Sequence, residues 1–258
     1  MARVQIGNLV EDKTSAISFA EELLQTSREH LSDDTNIEWN ELSTVQGVTI
    51  EGAEVTGDRG PLKDPSNSNQ LIRASITLGG ITSQKMYEFL ISKEGYIFID
   101  PDADPNDFGK ALMGPYEWGP NSMAQVEQAY LKLPFPLANR DYIVLNAFSG
   151  LSRSFLSASC YSPSLSTETS AYEDCTQKKS SFCGTVRMAF YGVYSVVDDE
   201  NSSRGNSCIL KVAQYVDMNG WTPKTMNRGA NISWFKSFIH RAQERFPLNL
   251  PNEQKKER

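Results

Sequence analysis

The chain is poor in the residues that most often carry chemistry. It has two histidines, His30 and His240, and four cysteines, Cys160, Cys175, Cys183 and Cys208, in 258 residues. No Cys-x-x-Cys pair occurs, and the histidines lie far apart, so the spacing of a structural zinc site is missing. The same scarcity leaves little material for a Ser/His or Cys/His nucleophile pair. No G-x-S-x-G, H-E-x-x-H, phosphate-loop or Rossmann glycine pattern is present. Scattered cysteines fit a reduced, intracellular protein.

Long apolar runs are also lacking. No window approaches the about 18 residues that a membrane-spanning helix needs, and residues 1–15 do not read as a secretory leader. Basic excess is missing too: 25 Lys and Arg stand against 32 Asp and Glu, for a net charge of −7. That balance argues against nonspecific nucleic-acid binding, which depends on neutralising phosphates. It also disfavours strong attraction to an anionic membrane surface.

What the chain does have is ordinary core material, 39% hydrophobic and 22% charged residues, in a length that suits one large domain. A helix is expected over 14–31, capped by Thr14 or Ser15, with Ile17, Ala20, Leu24 and Leu31 on one face. Strand-like segments follow within 39–56, and residues 57–69 read as a loop by their Gly, Pro and Asn content. Ile72, Ala74, Ile76 and Leu78 alternate with polar residues and predict a half-buried strand. A second helix is expected over 83–91, then a short apolar run at 96–99.

Residues 100–107 form the sharpest acidic cluster. Asp100, Asp102 and Asp104 have the alternating spacing of a calcium loop. Pro105 stands where such a loop needs Gly, and Ala111 stands where it needs a bidentate Glu. A solvated connection is the better reading. Strands are then expected at 124–133, 141–149, 154–161, 181–197 and 207–218, paired antiparallel through short turns. Residues 162–179 are the exception, a connection long enough to suggest a lid.

The last long stretch, 217–246, organises the rest. Pro223 admits a helix, and Trp234, Phe235, Phe238, Ile239, Ala242 and Phe246 share one face of it. Lys236, Arg241, Glu244 and Arg245 fall largely on the other. An aromatic stripe this wide needs cover, and the strands upstream can supply it as a curved sheet.

Asp217, Gly220 and Pro223 resemble the Asp-x-x-Gly-x-x-Pro entry to the last helix of StAR-related lipid transfer (START) domains. Arg140, Asp141, Tyr142, Ile143 and Val144 are similar to that family's Arg-Asp-aromatic-aliphatic strand opening. The order of the two motifs also fits, and the resemblance covers roughly residues 15–246. It implies an α+β helix-grip fold: a curved antiparallel sheet wrapped round a long C-terminal helix, enclosing a hydrophobic cavity. Residues 14–247 would form the domain, 1–13 an N-terminal extension and 248–258 a charged tail. The implied activity is binding and transfer of one sterol, phospholipid or ceramide, without catalysis, metal or cofactor. The protein would be cytoplasmic and touch membranes transiently.

In several START domains the position matching Asn146 carries a cavity-facing Arg paired with an acid one strand earlier, and Glu127 sits where that acid would fall. With Asn146 here, that ion pair cannot form. Period two places Tyr142, Val144, Asn146 and Phe148 on one face, and Cys208, Leu210, Val212, Gln214 and Val216 on another. The expected ligand-facing set is therefore Glu127, Tyr142, Asn146 and Gln214 on strands, with Trp234, Phe235, Phe238 and Ile239 on the helix. Arg140, Asp141 and Arg187 are expected to hold structure. Two other readings remain: an enzyme of the cyclase type on the same scaffold, and a lipid sensor acting through a partner.

Overall fold

The computed structural model describes residues 2–3, 8–56, 70–101, 110–131, 139–161, 185–202, 206–218 and 224–248. The loop at 57–69, most of the acidic cluster, the connection at 162–179, Gly220 and Pro223 of the helix-entry motif, and the tail beyond Leu248 lie outside them. So does the side chain of Arg187.

Helix α1 spans Lys13–Leu31. Its cap is Asp12 rather than Thr14 or Ser15. The Asp12 carboxylate accepts from the Ser15 amide at 2.8 Å, while the Ser15 hydroxyl accepts from the Asp12 amide at 3.0 Å. This reciprocal box satisfies two amides that a helix start otherwise leaves unpaired. The buried face is Ala16, Phe19, Ala20, Leu23, Ser27 and His30. Ile17 and Leu24 flank it, half-buried.

The strands, in chain order, are β1 (Ala2–Arg3), β2 (Asn8–Leu9), β3 (Asn40–Val45), β4 (Val48–Thr56), β5 (Gln70–Gly79), β6 (Lys110–Gly119), β7 (Ser122–Leu131), β8 (Asn139–Ser149), β9 (Ser154–Tyr161), β10 (Thr185–Arg187), β11 (Ala189–Asp198) and β12 (Ser207–Asp217). The sheet order is β1-β4-β5-β12-β11-β9-β8-β7-β6, with β3 on β4, β2 on β9 and β10 on β8. Pairing is antiparallel except for β1 with β4, β2 with β9 and β10 with β8. Residues 2–3 and 8–9, in the segment expected as an extension, thus pair into the sheet. Gln46 and Gly47, with φ of 49° and 79°, make the tight turn between β3 and β4; positive φ at both central residues suits the twist of a two-residue hairpin.

Three expectations change. β6 was not expected, because Gly114 and Pro115 interrupt its pattern. Pro lacks the N–H that a ladder uses, and strands tolerate it at an edge or a bulge. β6 is the edge strand and its register shifts three times. The strand expected over 181–197 is two, broken at Met188, whose amide donates to the Asp141 carbonyl at 2.8 Å. The apolar run at 96–99 belongs to a helix, α3 (Lys93–Ile99), which follows α2 (Ser83–Leu90) after a turn capped by Ser92. A Cβ on Gly95 would strike the Phe89–Leu90 backbone, so Gly is what lets α3 fold back against α2.

Helix α4 is Lys224–Arg245. It packs over β3, β4, β5 and β12, while α2 lies over β11 and β12 and α1 covers the opposite face of β7, β8, β9 and β12. Two cores result, one on each face of the sheet. The α1 core includes Phe19, Leu23, Leu145 and Tyr191. The α4 core includes Ile50, Ile76, Leu210, Phe235, Phe238 and Ile239. The fold is α+β, a large antiparallel sheet gripping its C-terminal helix.

Arg140 and Asp141 hold a corner of this sheet. Arg140 is 1% exposed and its Nε donates to the Met218 carbonyl at 2.6 Å, tying the start of β8 to the end of β12. Burial lowers its pKa from the usual guanidinium value. An Asp141 carboxylate oxygen accepts from Gln128 Nε2 on β7 at 3.1 Å.

Two stability predictions follow from the packing. Phe238 is fully buried against Tyr194, Phe98 and Trp234, so Phe238→Ala should cost about 3–5 kcal/mol in urea denaturation. Exposed Lys236→Ala should stay within about 0.5 kcal/mol. Arg140→Met should cost about 1–3 kcal/mol, because a buried carbonyl loses a charged donor. A near-neutral Arg140→Met would mean that the corner holds without it.

Candidate ligand-binding face

Strand alternation sends every second residue to the side of the sheet that α4 grips. On β8 these are Tyr142, Val144, Asn146 and Phe148, while Ile143, Leu145 and Ala147 enter the α1 core. On β12 they are Cys208, Leu210, Val212, Gln214 and Val216. Lys211 points the other way and donates to the Leu31 carbonyl at 3.2 Å.

Register lines these residues up in rows across the strands. One row runs Gln125, Asn146, Ser157, Gly192, Gln214 and Ile72. Asn146 and Gln214 therefore stand in the same row, three strands apart. A Cβ on Gly192 would meet the Phe190 ring at 2.8 Å, so the bare backbone there makes room for that ring. The next row toward the β8–β9 turn is apolar: Met123, Phe148, Phe155, Tyr194 and Val212. Phe148 stacks on Phe155 at 5.0 Å, and Phe155 on Tyr194 at 5.7 Å.

Burial along this face is uneven. Under α4, Ile50, Ile76, Leu78, Leu210 and Val212 have no exposed surface. Over β7, β8, β9 and β11, Gln125, Glu127, Tyr142, Phe148, Phe155 and Phe190 are only half-buried. At the short-turn end an open cavity of about 530 Å³ lies between the end of α2 and this face, lined by Tyr87, Ile91, Pro120, Asn121, Met123 and Phe148.

Glu127 is the ionisable group at the centre of the half-buried region. One carboxylate oxygen accepts from Asn146 Nδ2 at 2.6 Å, the other from Gln125 Nε2 at 3.0 Å. Burial raises its pKa above the usual carboxylate value, and the Asn146 bond partly offsets that. Tyr142 is pushed well up, first by burial and then by Tyr96 and Asp100, with a smaller push from Glu127. Its ring lies 6.0 Å from that of Phe190. Arg241, on α4, is held by the Phe98 and Ile99 carbonyls, each at 3.3 Å.

The eight expected residues thus fall in two groups. Glu127, Tyr142 and Asn146 come together, and Gln214 stands farther along the Asn146 row, 8% exposed, its Oε1 without a hydrogen-bond partner. Phe235, Phe238 and Ile239 are at most 1% exposed and packed as core, while Trp234 is half-buried and stacks on Phe238 at 5.0 Å. Gln125, Ser157 and Phe190 were missed. Period two from Glu127 would have reached Gln125, but only register brings Ser157 and Phe190 alongside. Among the described residues no three His, Cys, Asp or Glu side chains gather as a metal site, and no helix is long and apolar enough to cross a membrane.

No protein-family model and no curated protein sequence matches the chain. Solved structures do resemble it. Human STARD10 aligns with a TM-score of 0.54 at 17% identity, over 96% of this chain and 84% of that one. Human StAR-related lipid transfer protein 5 aligns at 0.57 and 11%, over 90% and 94%. The lipid transfer and protein localization domain of human StarD13 aligns at 0.53 and 14%, over 88% and 97%. At these identities the likeness is one of architecture: this chain has the helix-grip fold seen in START domains.

Proposed function

We propose that the protein binds one lipid against the half-buried part of the gripped face and carries it between membranes. The observation that supports this most is the uneven burial: α4 fills the face over β4, β5 and β12, while aromatic rings on β8, β9 and β11 keep free surface. A hydrocarbon chain laid on those rings gains about 0.8 kcal/mol per CH₂ buried, so an apolar bed needs few specific bonds. The polar row beside the bed supplies them, through Glu127, Asn146, Gln125 and Gln214. Tyr142 and Trp234 complete the proposed contacts, and Phe235, Phe238 and Ile239 support the wall from behind. The human structures of the same fold whose names specify lipid transfer agree with this reading.

Transfer implies passing contact with membranes, and the proposed setting is the cytoplasm. The catalytic alternative rests on Glu127, whose pKa is raised by burial. It requires the cargo to leave chemically altered, whereas a carrier returns it unchanged.

Titration with fluorescent sterol, ceramide and phosphatidylcholine analogues, together with native mass spectrometry, should show one lipid per chain with its mass preserved. Absence of binding by all three classes would contradict the proposal. Asn146→Leu should alter the order of preference among the three more than it alters Tm, because it removes a donor from the polar row and not a member of either core. An unaltered order would take Asn146 out of the site.

A further inference from the structure

Glu127 is a half-buried carboxylate whose hydrogen-bond donors among the described residues are neutral amides. Asn146 and Gln125 each donate one N–H to it, and no Lys, Arg or His among the described residues pairs with it. A half-buried carboxylate with two amide donors is left short of counter-charge, and each oxygen keeps a free acceptor position. Asp100, at the end of α3, and Glu127 both act on the Tyr142 phenol, and Tyr96 of α3 stands with them. Arg241, a cation on α4, acts on Tyr194 and is held by two backbone carbonyls.

Tyr142 stands on the strand next to Glu127, two residues from Val144, which pairs with Glu127. Phe190 lies farther across the sheet, three strands along the Glu127 row, with its half-buried ring against that of Tyr142. A carboxylate with an aromatic face next to it is the chemistry that holds an ammonium group. A phosphate or carboxylate headgroup would meet a repelling carboxylate, Glu127. A hydroxyl would make a hydrogen bond but supply no counter-charge.

We propose that the lipid this face takes carries a protonated amine, seated on Glu127 beside Tyr142, with its hydrocarbon along Phe148 and Phe155. This rests on the lipid-binding reading of the same face and narrows it to a class. The amine can belong to a simple long-chain amine or to an aminophospholipid, and both present the same ammonium group.

The test compares dodecylamine, dodecanol and lysophosphatidylethanolamine as ligands of the full chain near pH 7.5, each below its micelle concentration, by calorimetric titration. Dodecylamine should bind about tenfold or more tighter than dodecanol, a ratio equal to about 1.4 kcal/mol. Glu127→Gln keeps the shape and one acceptor but removes the charge. It should bring the ratio to about one, and an unaltered circular dichroism spectrum and Tm show that the variant is folded. Lys236→Ala, on the outward side of α4, should leave the ratio as in the unmodified protein. If dodecylamine and dodecanol bind alike, or if Glu127→Gln leaves the ratio intact, the amine inference is overturned and the lipid reading stands. If neither dodecanol nor dodecylamine binds, the lipid reading falls and this inference with it. Tighter binding of lysophosphatidylethanolamine than of dodecylamine assigns the amine to an aminophospholipid, and weaker binding assigns it to a simple long-chain amine.

Discussion

The sheet presents more gripped surface than one helix can cover, and the organisation of the molecule depends on that mismatch. Helix α4 is 22 residues long, about 33 Å at the usual rise per residue. It packs on β3, β4, β5 and β12. Burial of Phe235, Phe238, Ile239 and Ala242 against those strands anchors the helix and makes one core. Beyond β12 the stripe still meets Tyr194 of β11, and each further step across the sheet adds close to 5 Å. Helices α2 and α3 extend the cover partway, through Tyr87, Phe98 and Ile99. What remains uncovered is the aromatic and polar surface of β7, β8 and β9, with Phe190 of β11.

The opposite face carries the stability that such an arrangement requires. Helix α1 spans the strands from β6 to β12 on that side and buries a continuous apolar layer against them. The strands that hold the proposed site are therefore fixed from behind, and their free face need not be filled for the sheet to stand. The Arg140 bond to Met218 closes the same strands at one end. At the other end Arg153 makes a two-point ion pair with Asp198, at 3.2 and 3.1 Å, joining the β8–β9 turn to the end of β11.

Much of this is legible in the sequence, for identifiable reasons. Period two puts Tyr142 and Asn146 on one face of their strand and Gln214 on one face of its own, and the START resemblance implies that these faces look toward the helix. The α4 stripe is readable because its aromatic spacing is helical throughout. Which half of the sheet that stripe covers is not readable, since it depends on how β12 is inserted between β5 and β11. Hence Trp234 stays half-buried while Phe235 and Phe238, from the same stripe, pack as core. The edge strand β6 escapes because Gly114 and Pro115 erase its period, and α3 because seven residues are too few to show one. The contact between Glu127 and Asn146 is a register fact. The pairing of Glu127 with Val144 and Gln125 with Asn146 puts the two side chains on adjacent rungs, and no local pattern encodes that.

The central claim is that ligand lies on the surface α4 leaves uncovered, and photo-crosslinking tests it most directly. A lipid bearing a diazirine along its acyl chain, loaded into the full chain and mapped by peptide mass, should label β8, β9 and β11 around Tyr142, Phe148, Phe155 and Phe190. Labelling concentrated on α1 or on the buried stripe of α4 around Phe235 and Phe238, with these strands unlabelled, would contradict the account.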